Sequence, residues 1–215
     1  MLVSPQSLIE ARGGRPFVSR GGEKLRAALD FFHIGVAGRT CVDLGASTGG
    51  FTDCLLQDGA RRVYAFDVGR GQIAWRLATD PRVTLQDRYN VRRLRPEDIP
   101  EPFFLLAADL SFISLRLVLP AIAAVCSVRG EPDAVALLLV KPQFELPSAR
   151  IAPGGLVRRE EEGRAVVDTI AAAASQEGFS RPQIFPSPVK GASGNREYFL
   201  KLRFGHPAAF PSTST

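Results

Sequence analysis

Acidic residues stand at the ends of four successive apolar segments of this sequence. They are Asp43, Asp67, Asp87 and Asp109. In an open α/β sheet, ligands bind outside the carboxyl ends of the strands, where such acids would meet hydroxyl and amino groups. A glycine turn that only packs a helix on a strand would not account for four acids placed in this way. The pattern therefore predicts a ligand site at one edge of a sheet.

The turn that follows the first of these acids, GASTGG at 45–50, narrows the choice of ligand. A P-loop needs a lysine and a serine or threonine after its last glycine, but Phe51 follows Gly50, so a P-loop is excluded. A dinucleotide fingerprint, GxGxxG, has glycine where this turn has Ala46. That departure weakens the dinucleotide interpretation and leaves it open.

S-adenosylmethionine is the third candidate ligand, since it has no phosphate but carries a ribose, an adenine and a zwitterionic amino acid. It suits the glycines of the turn and the acid Asp43. Asp67 could bind the ribose hydroxyls of S-adenosylmethionine or of NAD, and Asp87 could meet the adenine amino group. The acids are therefore compatible with S-adenosylmethionine but do not by themselves exclude NAD.

Lysine is rare in this chain, and one lysine stands at the end of an apolar strand. Most of the 27 basic residues are arginine. Lys141 directly follows the run AVALLLV, and burial lowers the pKa of a lysine amine so that its neutral form can act as a base. The position suggests lysine chemistry at Lys141, although a lysine that snorkels from a strand end is the plainer alternative.

Apolar runs and amphipathic stretches alternate along the chain, which predicts strands and helices in turn. We expect a mostly parallel sheet with helices on both faces. The last two predicted strands have no helix between them, so the last strand should run antiparallel. The predicted helices cover 19–32, 48–60, 71–80, 114–128 and 157–176, and the predicted strands cover 39–45, 61–69, 82–87, 102–112, 133–145, 181–189 and 196–204.

Composition narrows the class of protein. A net charge of +5 and a pI near 9.5 favour an anionic partner such as nucleic acid, although arginine-rich coding by a GC-rich genome would give the same balance. No apolar run approaches the ~20 residues of a membrane span. With three cysteines that form no CxxC pair and two histidines, we expect no metal site and a cytoplasmic protein with free thiols.

Six motifs occur in the order SRGGEKL, DLGASTGGFTDCLLQ, DVGRGQIAW, DLSFISL, KPQFE and GNREYF. In this set and order the chain resembles the TlyA family, the haemolysin-A-type members of the FtsJ-like ribose 2′-O-methyltransferases, over roughly residues 17–204. The resemblance implies a Rossmann-like class I methyltransferase fold with seven strands, S-adenosylmethionine as the cofactor, and a Lys-Asp-Lys-Glu catalytic tetrad. The matching tetrad positions are Lys24, Asp109, Lys141 and Glu197. The cofactor-binding positions would be Asp43, Gly45, Ala46, Ser47, Thr48, Gly49, Gly50, Phe51, Asp67, Val68, Asp87 and Asp109.

The resemblance also bears on domain organisation. Family members usually carry an S4-type RNA-binding domain before the methyltransferase domain, whereas about 18 residues precede SRGGEKL here, too few for such a domain. Either the protein lacks this domain or this sequence begins at the linker that follows it. We therefore expect a tail or linker at 1–18, a methyltransferase domain at 19–205 and a disordered tail at 206–215. RNA would then be held by arginines around the mouth of the site, for which the candidates are Arg20, Arg70, Arg92 and Arg196.

Three other functions compete with a methyltransferase that acts on ribosomal RNA or ribosomal subunits. A methyltransferase with a small-molecule or protein substrate is less favoured, because the tetrad suits an unactivated hydroxyl. A membrane-active haemolysin is opposed by the lack of a spanning segment and by three consecutive glutamates in the helix at 157–176. A nicotinamide oxidoreductase is opposed by the sequence of the glycine turn. Taken singly, Lys24 would be an exposed helix lysine and Glu197 a surface residue paired with Arg196 or Lys201, whereas the set as a whole favours catalysis.

Overall fold

A computed structural model describes residues 16–204, in which seven strands form one sheet and two short strands form a separate hairpin. The strands are β1 Thr40–Leu44, β2 Arg62–Phe66, β3 Val83–Gln86, β4 Phe103–Ala108, β5 Gly130–Val140, β6 Ile151–Ala152, β7 Leu156–Val157, β8 Phe179–Pro186 and β9 Tyr198–Phe204. The helices are α1 Arg20–Phe32, α2 Gly50–Gln57, α3 Trp75–Ala78, α4 Leu119–Arg129 and α5 Glu160–Gln176. The predictions made for 1–15 and 205–215 lie outside the described residues.

The order across the large sheet is β3-β2-β1-β4-β5-β9-β8. The strands from β3 to β5 are parallel to one another, and β9 runs antiparallel to both β5 and β8. The strand that comes last among the described residues therefore lies inside the sheet rather than at its edge. These findings confirm the predicted Rossmann-like α/β fold, with seven mostly parallel strands and an antiparallel last strand.

The strands of the sheet centre are buried on both faces because helices cover each side. In β4, Leu106 and Ala108 join one apolar cluster, to which α4 and α5 also contribute. Leu105 and Ala107, which alternate with them, join a second cluster with α1 and α2. Side chains alternate between the two faces of a strand, so a near-continuous apolar run such as FFLLAA fills both clusters.

Two predicted helices start later than the sequence pattern suggested. The helix predicted from Ser114 begins with a 3₁₀ turn at Leu115–Leu117, and α4 starts only at Leu119. Pro120 lies in the first turn of α4, where its missing N–H costs nothing and its fixed φ favours a helix start. The helix predicted from 157 starts at residue 160 instead, because Leu156–Val157 form the second strand of the β6–β7 hairpin.

Two further differences arise in segments where glycines set the backbone. The helix predicted over 71–80 is reduced to the four residues of α3, and Gly71 before it has a φ of +60°. The hairpin at 151–157, which the sequence analysis did not predict, turns through Gly154 and Gly155, both with positive φ. Glycine adopts this left-handed conformation without the steric cost that other residues pay.

Candidate active site

The strand register brings residues from distant parts of the sequence to one edge of the sheet. β1 pairs in parallel with β4, so Gly45 and Asp109, which follow these strands, leave the sheet side by side. β5 pairs antiparallel with β9, so Lys141, which follows β5, stands beside Glu197, which precedes β9. Helix α1 adds Lys24 from the face of the sheet that α2 covers. The four predicted tetrad residues therefore meet at one place.

Two ion pairs organise these four side chains. The Nζ of Lys24 lies 2.6 Å from the Oε2 of Glu197, and both side chains are at least nine-tenths buried. The Nζ of Lys141 lies 2.6 Å from the Oδ1 of Asp109 and donates to the hydroxyl of Ser111 at 2.8 Å. Two cations and two anions leave the cluster electrically balanced, which makes its burial tolerable. The plainer alternatives for Lys24 and Glu197, an exposed helix lysine and a surface strand residue, do not describe these buried positions.

Lys24 reaches the cluster because α1 packs unusually close to α2. Ser19 caps the N-terminus of α1. A Cβ on Gly22 would lie 2.3 Å from the ring of Phe17, and a Cβ on Gly50 would lie 2.9 Å from the amide nitrogen of Gly22. Neither position has room for a larger side chain. Gly50 therefore allows the two helices to approach closely, and Gly22 leaves room for Phe17 against α1, which helps to set the position of Lys24.

The tetrad lines a cavity of about 610 Å³. A second cavity of about 480 Å³ adjoins it. Both volumes lie in the range of small-molecule and cofactor sites. The residues common to the two linings are Gly45, Ser47, Asp109, Ser111 and Phe112. Asp109 therefore belongs both to an ion pair of the first cavity and to the wall of the second.

The glycine turn between β1 and α2 borders both cavities. Two of its glycines have no room for a side chain. Gly45 has a φ of +89°, and a Cβ there would lie 2.5 Å from the carbonyl oxygen of Asp109. Gly49, with a φ of +97°, is the N-cap of α2, and a Cβ on it would lie 2.4 Å from Leu77. Close approach therefore explains the glycine at both positions.

The second cavity has the donor and acceptor groups that an adenosyl cofactor requires. Asp67 lines it, and its two carboxylate oxygens accept hydrogen bonds from the amides of Ser47 at 2.7 Å and Gly69 at 2.6 Å. These two bonds fix the carboxylate and leave it further lone pairs for a ribose diol. The rest of its lining combines apolar and polar groups suited to a base. It includes Val68, Tyr89, Asn90, Leu110 and Ile113. The residues present therefore fit S-adenosylmethionine.

Asp43, a predicted cofactor residue, is fully buried and lines neither cavity. The hydroxyl of Thr52 donates to its Oδ2 at 2.7 Å, and its Oδ1 has no hydrogen-bond partner among the described residues. Burial raises the pKa of Asp43 to about 7, and the negative charges of Asp109 and Asp67 add to this against the hydrogen bond from Thr52. A cationic group bound at the adjoining turn would stabilise the ionised form of this carboxyl.

Most of the other predicted cofactor positions line one cavity or the other. Ala46, Thr48, Gly50 and Phe51 line the first, and Val68 lines the second. The exceptions besides Asp43 are Gly49, with the packing role given above, and Asp87. The Oδ2 of Asp87 accepts a hydrogen bond from the amide of Gly71 at 2.7 Å, so this acid holds the loop before α3.

The sequence analysis missed an aromatic pair at the mouth of the first cavity. Phe112 is 91% exposed, has a φ of +62°, and lines both cavities. Its ring centroid lies 5.0 Å from that of Phe144, which follows Lys141 on the next loop. A large apolar side chain held in a strained, exposed conformation is unusual unless a ligand uses it. Its place three residues after Asp109 was the only sequence signal.

A second missed feature is the wall that the β6–β7 hairpin forms opposite the aromatic pair. Gly154 and Gly155 line the first cavity together with Ala192 and Ser193 from the loop before β9. Buried Asn195 joins the two segments, since its side chain donates to the carbonyl of Gly155 at 2.7 Å and accepts from the amide of Val157 at 2.8 Å.

No group of three or more His, Cys, Asp or Glu side chains in 16–204 has the arrangement of a metal site. Within the same range, none of the helices combines the length and the hydropathy needed to cross a bilayer. The three cysteines are free thiols and all are buried.

The sheet order and the site at its carboxyl edge define a Rossmann-like methyltransferase domain. The family model for FtsJ-like methyltransferases matches residues 17–204, and the chain belongs to that family. The 16S/23S rRNA (cytidine-2′-O)-methyltransferase TlyA of Mycobacterium tuberculosis is 50% identical over 189 residues, which cover 88% of this chain and 69% of that protein.

Solved structures agree with this assignment. A Lactococcus lactis protein described as a hemolysin superposes with a TM-score of 0.81 at 38% identity, covering 88% of this chain and 89% of that one. An S-adenosylmethionine-dependent methyltransferase from Mesorhizobium loti has a TM-score of 0.60 at 17% identity, covering 82% of this chain and 96% of that one, and shares the fold alone.

Proposed function

We propose that this chain is an S-adenosylmethionine-dependent ribose 2′-O-methyltransferase that acts on ribosomal RNA through the tetrad Lys24, Asp109, Lys141 and Glu197. The observation that carries the proposal is the pair of adjoining cavities, one lined by the tetrad and the other lined by Asp67 and by apolar and polar groups suited to an adenosine. The 50% identity to a protein named as an rRNA cytidine 2′-O-methyltransferase supports the choice of substrate.

The cofactor side of the site has the residues to orient an adenosine. Asp67, fixed by two backbone amides, would hold the ribose hydroxyls, and Val68 would cover one edge of the base. When bound there, S-adenosylmethionine supplies a methyl group already activated by a sulfonium. The protein then has to position the acceptor hydroxyl and remove its proton.

Lys141 is the group placed to take that proton. It lies on the wall of the first cavity with its Nζ held between Asp109 and Ser111. A neutral amine at this position can accept the proton of a ribose hydroxyl, and the Asp109 carboxylate stabilises the ammonium that results. Lys24, held by Glu197, places a second positive charge on the same cavity wall. That charge favours the developing alkoxide.

The aromatic pair is suited to hold a nucleotide outside a helix. A nucleotide held in a duplex cannot enter a recessed cavity, whereas a flipped or single-stranded nucleotide can. The exposed face of Phe112, supported by Phe144, offers such a base a stacking surface at the cavity mouth. Arginines at the rim could bind the neighbouring phosphates. Exposed candidates are Arg20, which lines the first cavity, Arg92, which lines the second, Arg70 and Arg196.

The test is transfer of a labelled methyl group to isolated ribosomal subunits, followed by mapping of the modified nucleotide and its methylated oxygen. Lys141→Ala should lower the rate ~10²–10⁴-fold, the usual loss for a positioned general base, and should leave cofactor affinity nearly intact. Lys201→Ala removes a lysine that lines neither cavity and should keep the wild-type rate. Near-normal turnover by the Lys141 variant would refute the tetrad mechanism.

The cofactor is tested separately by thermal shift with S-adenosylmethionine and with NAD. Stabilisation by S-adenosylmethionine alone supports the proposal, because a ligand raises the melting temperature only if it binds the folded state. Stabilisation by NAD alone would instead indicate that the glycine turn binds a dinucleotide.

A further inference from the structure

Two loops at the cavity mouth, the one after β4 (109–115) and the one after β5 (141–146), are fastened together at three points. The first is the contact of Lys141 with Asp109 and Ser111. The second is the ring contact between Phe112 and Phe144. The third lies at the far end of both loops and involves Glu145, which lines neither cavity.

Glu145 uses both carboxylate oxygens to hold the loop after β4. Its Oε2 accepts a hydrogen bond from the hydroxyl of Ser114 at 2.6 Å, and its Oε1 accepts one from the amide of Leu115 at 2.7 Å. Ser114 is also the N-cap of the 3₁₀ turn at Leu115–Leu117, so the carboxylate fixes the start of that turn. Burial raises the pKa of Glu145, whereas the bonds from Ser114 and Leu115 lower it. A carboxylate that stays partly desolvated while it accepts these two bonds serves to fix the conformation of the loop after β4.

The segment between the two polar fastenings contains Phe112. Residues 112–113 lie between Ser111, which Lys141 contacts, and Ser114, which Glu145 contacts. Within this short span Phe112 has the left-handed φ of +62° that non-glycine residues avoid. Such a conformation persists only where the surroundings fix the backbone on both sides. If the outer fastening were removed, Phe112 would relax away from the cavity mouth.

We propose that Glu145 is a positioning residue for the RNA substrate, which it serves by holding Phe112 in place to stack on the target base. The inference rests on the proposed function, because it needs an RNA nucleotide at the first cavity. It assigns the last residue of the KPQFE motif a role in substrate binding without contact to substrate, cofactor or the reacting atoms.

The test is steady-state methylation of ribosomal subunits by Glu145→Ala, Phe112→Ala and the double variant, with Glu161→Ala as a matched control on the exposed surface. We expect Glu145→Ala to raise KM for the subunits ~10-fold, with a smaller effect on kcat, since displacing a positioning group by about 1 Å can cost far more. In the Phe112→Ala background, Glu145→Ala should add less than ~2-fold, because residues that act as a unit are not additive. Affinity for S-adenosylmethionine should change less than KM for the subunits.

A conservative change separates positioning from general stability. In Glu145→Gln the side-chain oxygen can still accept from Leu115, and the amide can donate to the Ser114 hydroxyl, so KM should return to within ~3-fold of wild type. If Glu145→Ala does not fold, Ser114→Ala removes the same contact from the other side and should raise KM in the same direction. Additive effects of the Glu145 and Phe112 changes, or an unchanged KM in folded Glu145→Ala, would overturn the inference. Failure of the wild-type chain to methylate RNA would instead overturn the proposed function.

Discussion

Replacing Asp43 by asparagine should stabilise the folded protein at neutral pH and leave its stability almost unchanged at acid pH. Asparagine has the shape of a protonated aspartic acid, and the hydroxyl of Thr52 can donate to its oxygen as it does to Asp43. The variant therefore removes the cost of holding a buried negative charge beside Asp109 and Asp67.

The size of the effect follows from the pKa of Asp43. Folding raises that pKa from 3.8 to about 7. Below the lower value both states are protonated, and the carboxyl adds no pH dependence. Between the two values the unfolded chain loses its proton while the folded protein keeps it, so stability falls as pH rises. Above about pH 7 both states are ionised and the loss is complete, at about 4 kcal/mol.

The assay is urea unfolding of wild type and Asp43→Asn across a pH series from acid to mildly alkaline. The difference in unfolding free energy should be near zero close to pH 4 and should grow toward about 4 kcal/mol at pH 8. Asp168→Asn, a change at an exposed helix position, is the control and should show no such trend. The reasoning is refuted if Asp43→Asn is less stable than wild type at pH 8, or if the difference is the same at every pH.

Three further predictions concern the cofactor, the buried ion pair and RNA. Asp67→Ala should weaken S-adenosylmethionine binding by about 1.5–3 kcal/mol through loss of a charged hydrogen-bond acceptor, and unchanged affinity by calorimetry would contradict the assignment. Glu197→Gln leaves the buried ammonium of Lys24 without its counter-ion and should cost about 3–5 kcal/mol in denaturant melts; a loss below about 1 kcal/mol would mean that water reaches the pair. RNA binding should fall about 50- to 150-fold between roughly 50 and 200 mM salt if the four candidate arginines contact phosphates, and a flat salt dependence in filter binding would exclude that interface.

The location of the site could be predicted from the sequence because several of its residues directly follow the strands. Asp67 and Asp109 follow apolar runs that became parallel strands, and the rule that ligands bind at carboxyl ends placed them at one edge. Lys24 and Glu197 could not be assigned to the site in this way. No local pattern distinguishes a buried lysine on a helix from an exposed one, so only the ordered set of family motifs connected them.

The features of the site that could not be predicted from the sequence depend on long-range packing. Asp87 follows a strand as Asp67 does, but the backbone of the loop before α3 reaches it and takes its hydrogen bond. Phe112 resembles any apolar residue near a strand end until the turn geometry exposes it. The β6–β7 hairpin has two residues in each strand, too few for a periodic signal, and its contact with Asn195 joins segments some 40 residues apart.

The place of β9 in the sheet constrains the order in which the sheet can form during synthesis. β9 is made after the other six strands of the sheet, yet it is the strand that joins β8 to the rest of them. It also follows Glu197, whose partner Lys24 lies 173 residues earlier in the chain. A nascent chain that has not yet made this strand has a lysine without its counter-ion and an open sheet edge at β5. The sheet and the Lys24–Glu197 ion pair are therefore complete only once β9 has been made, and a chain that stops before β9 should accumulate as an aggregation-prone fragment.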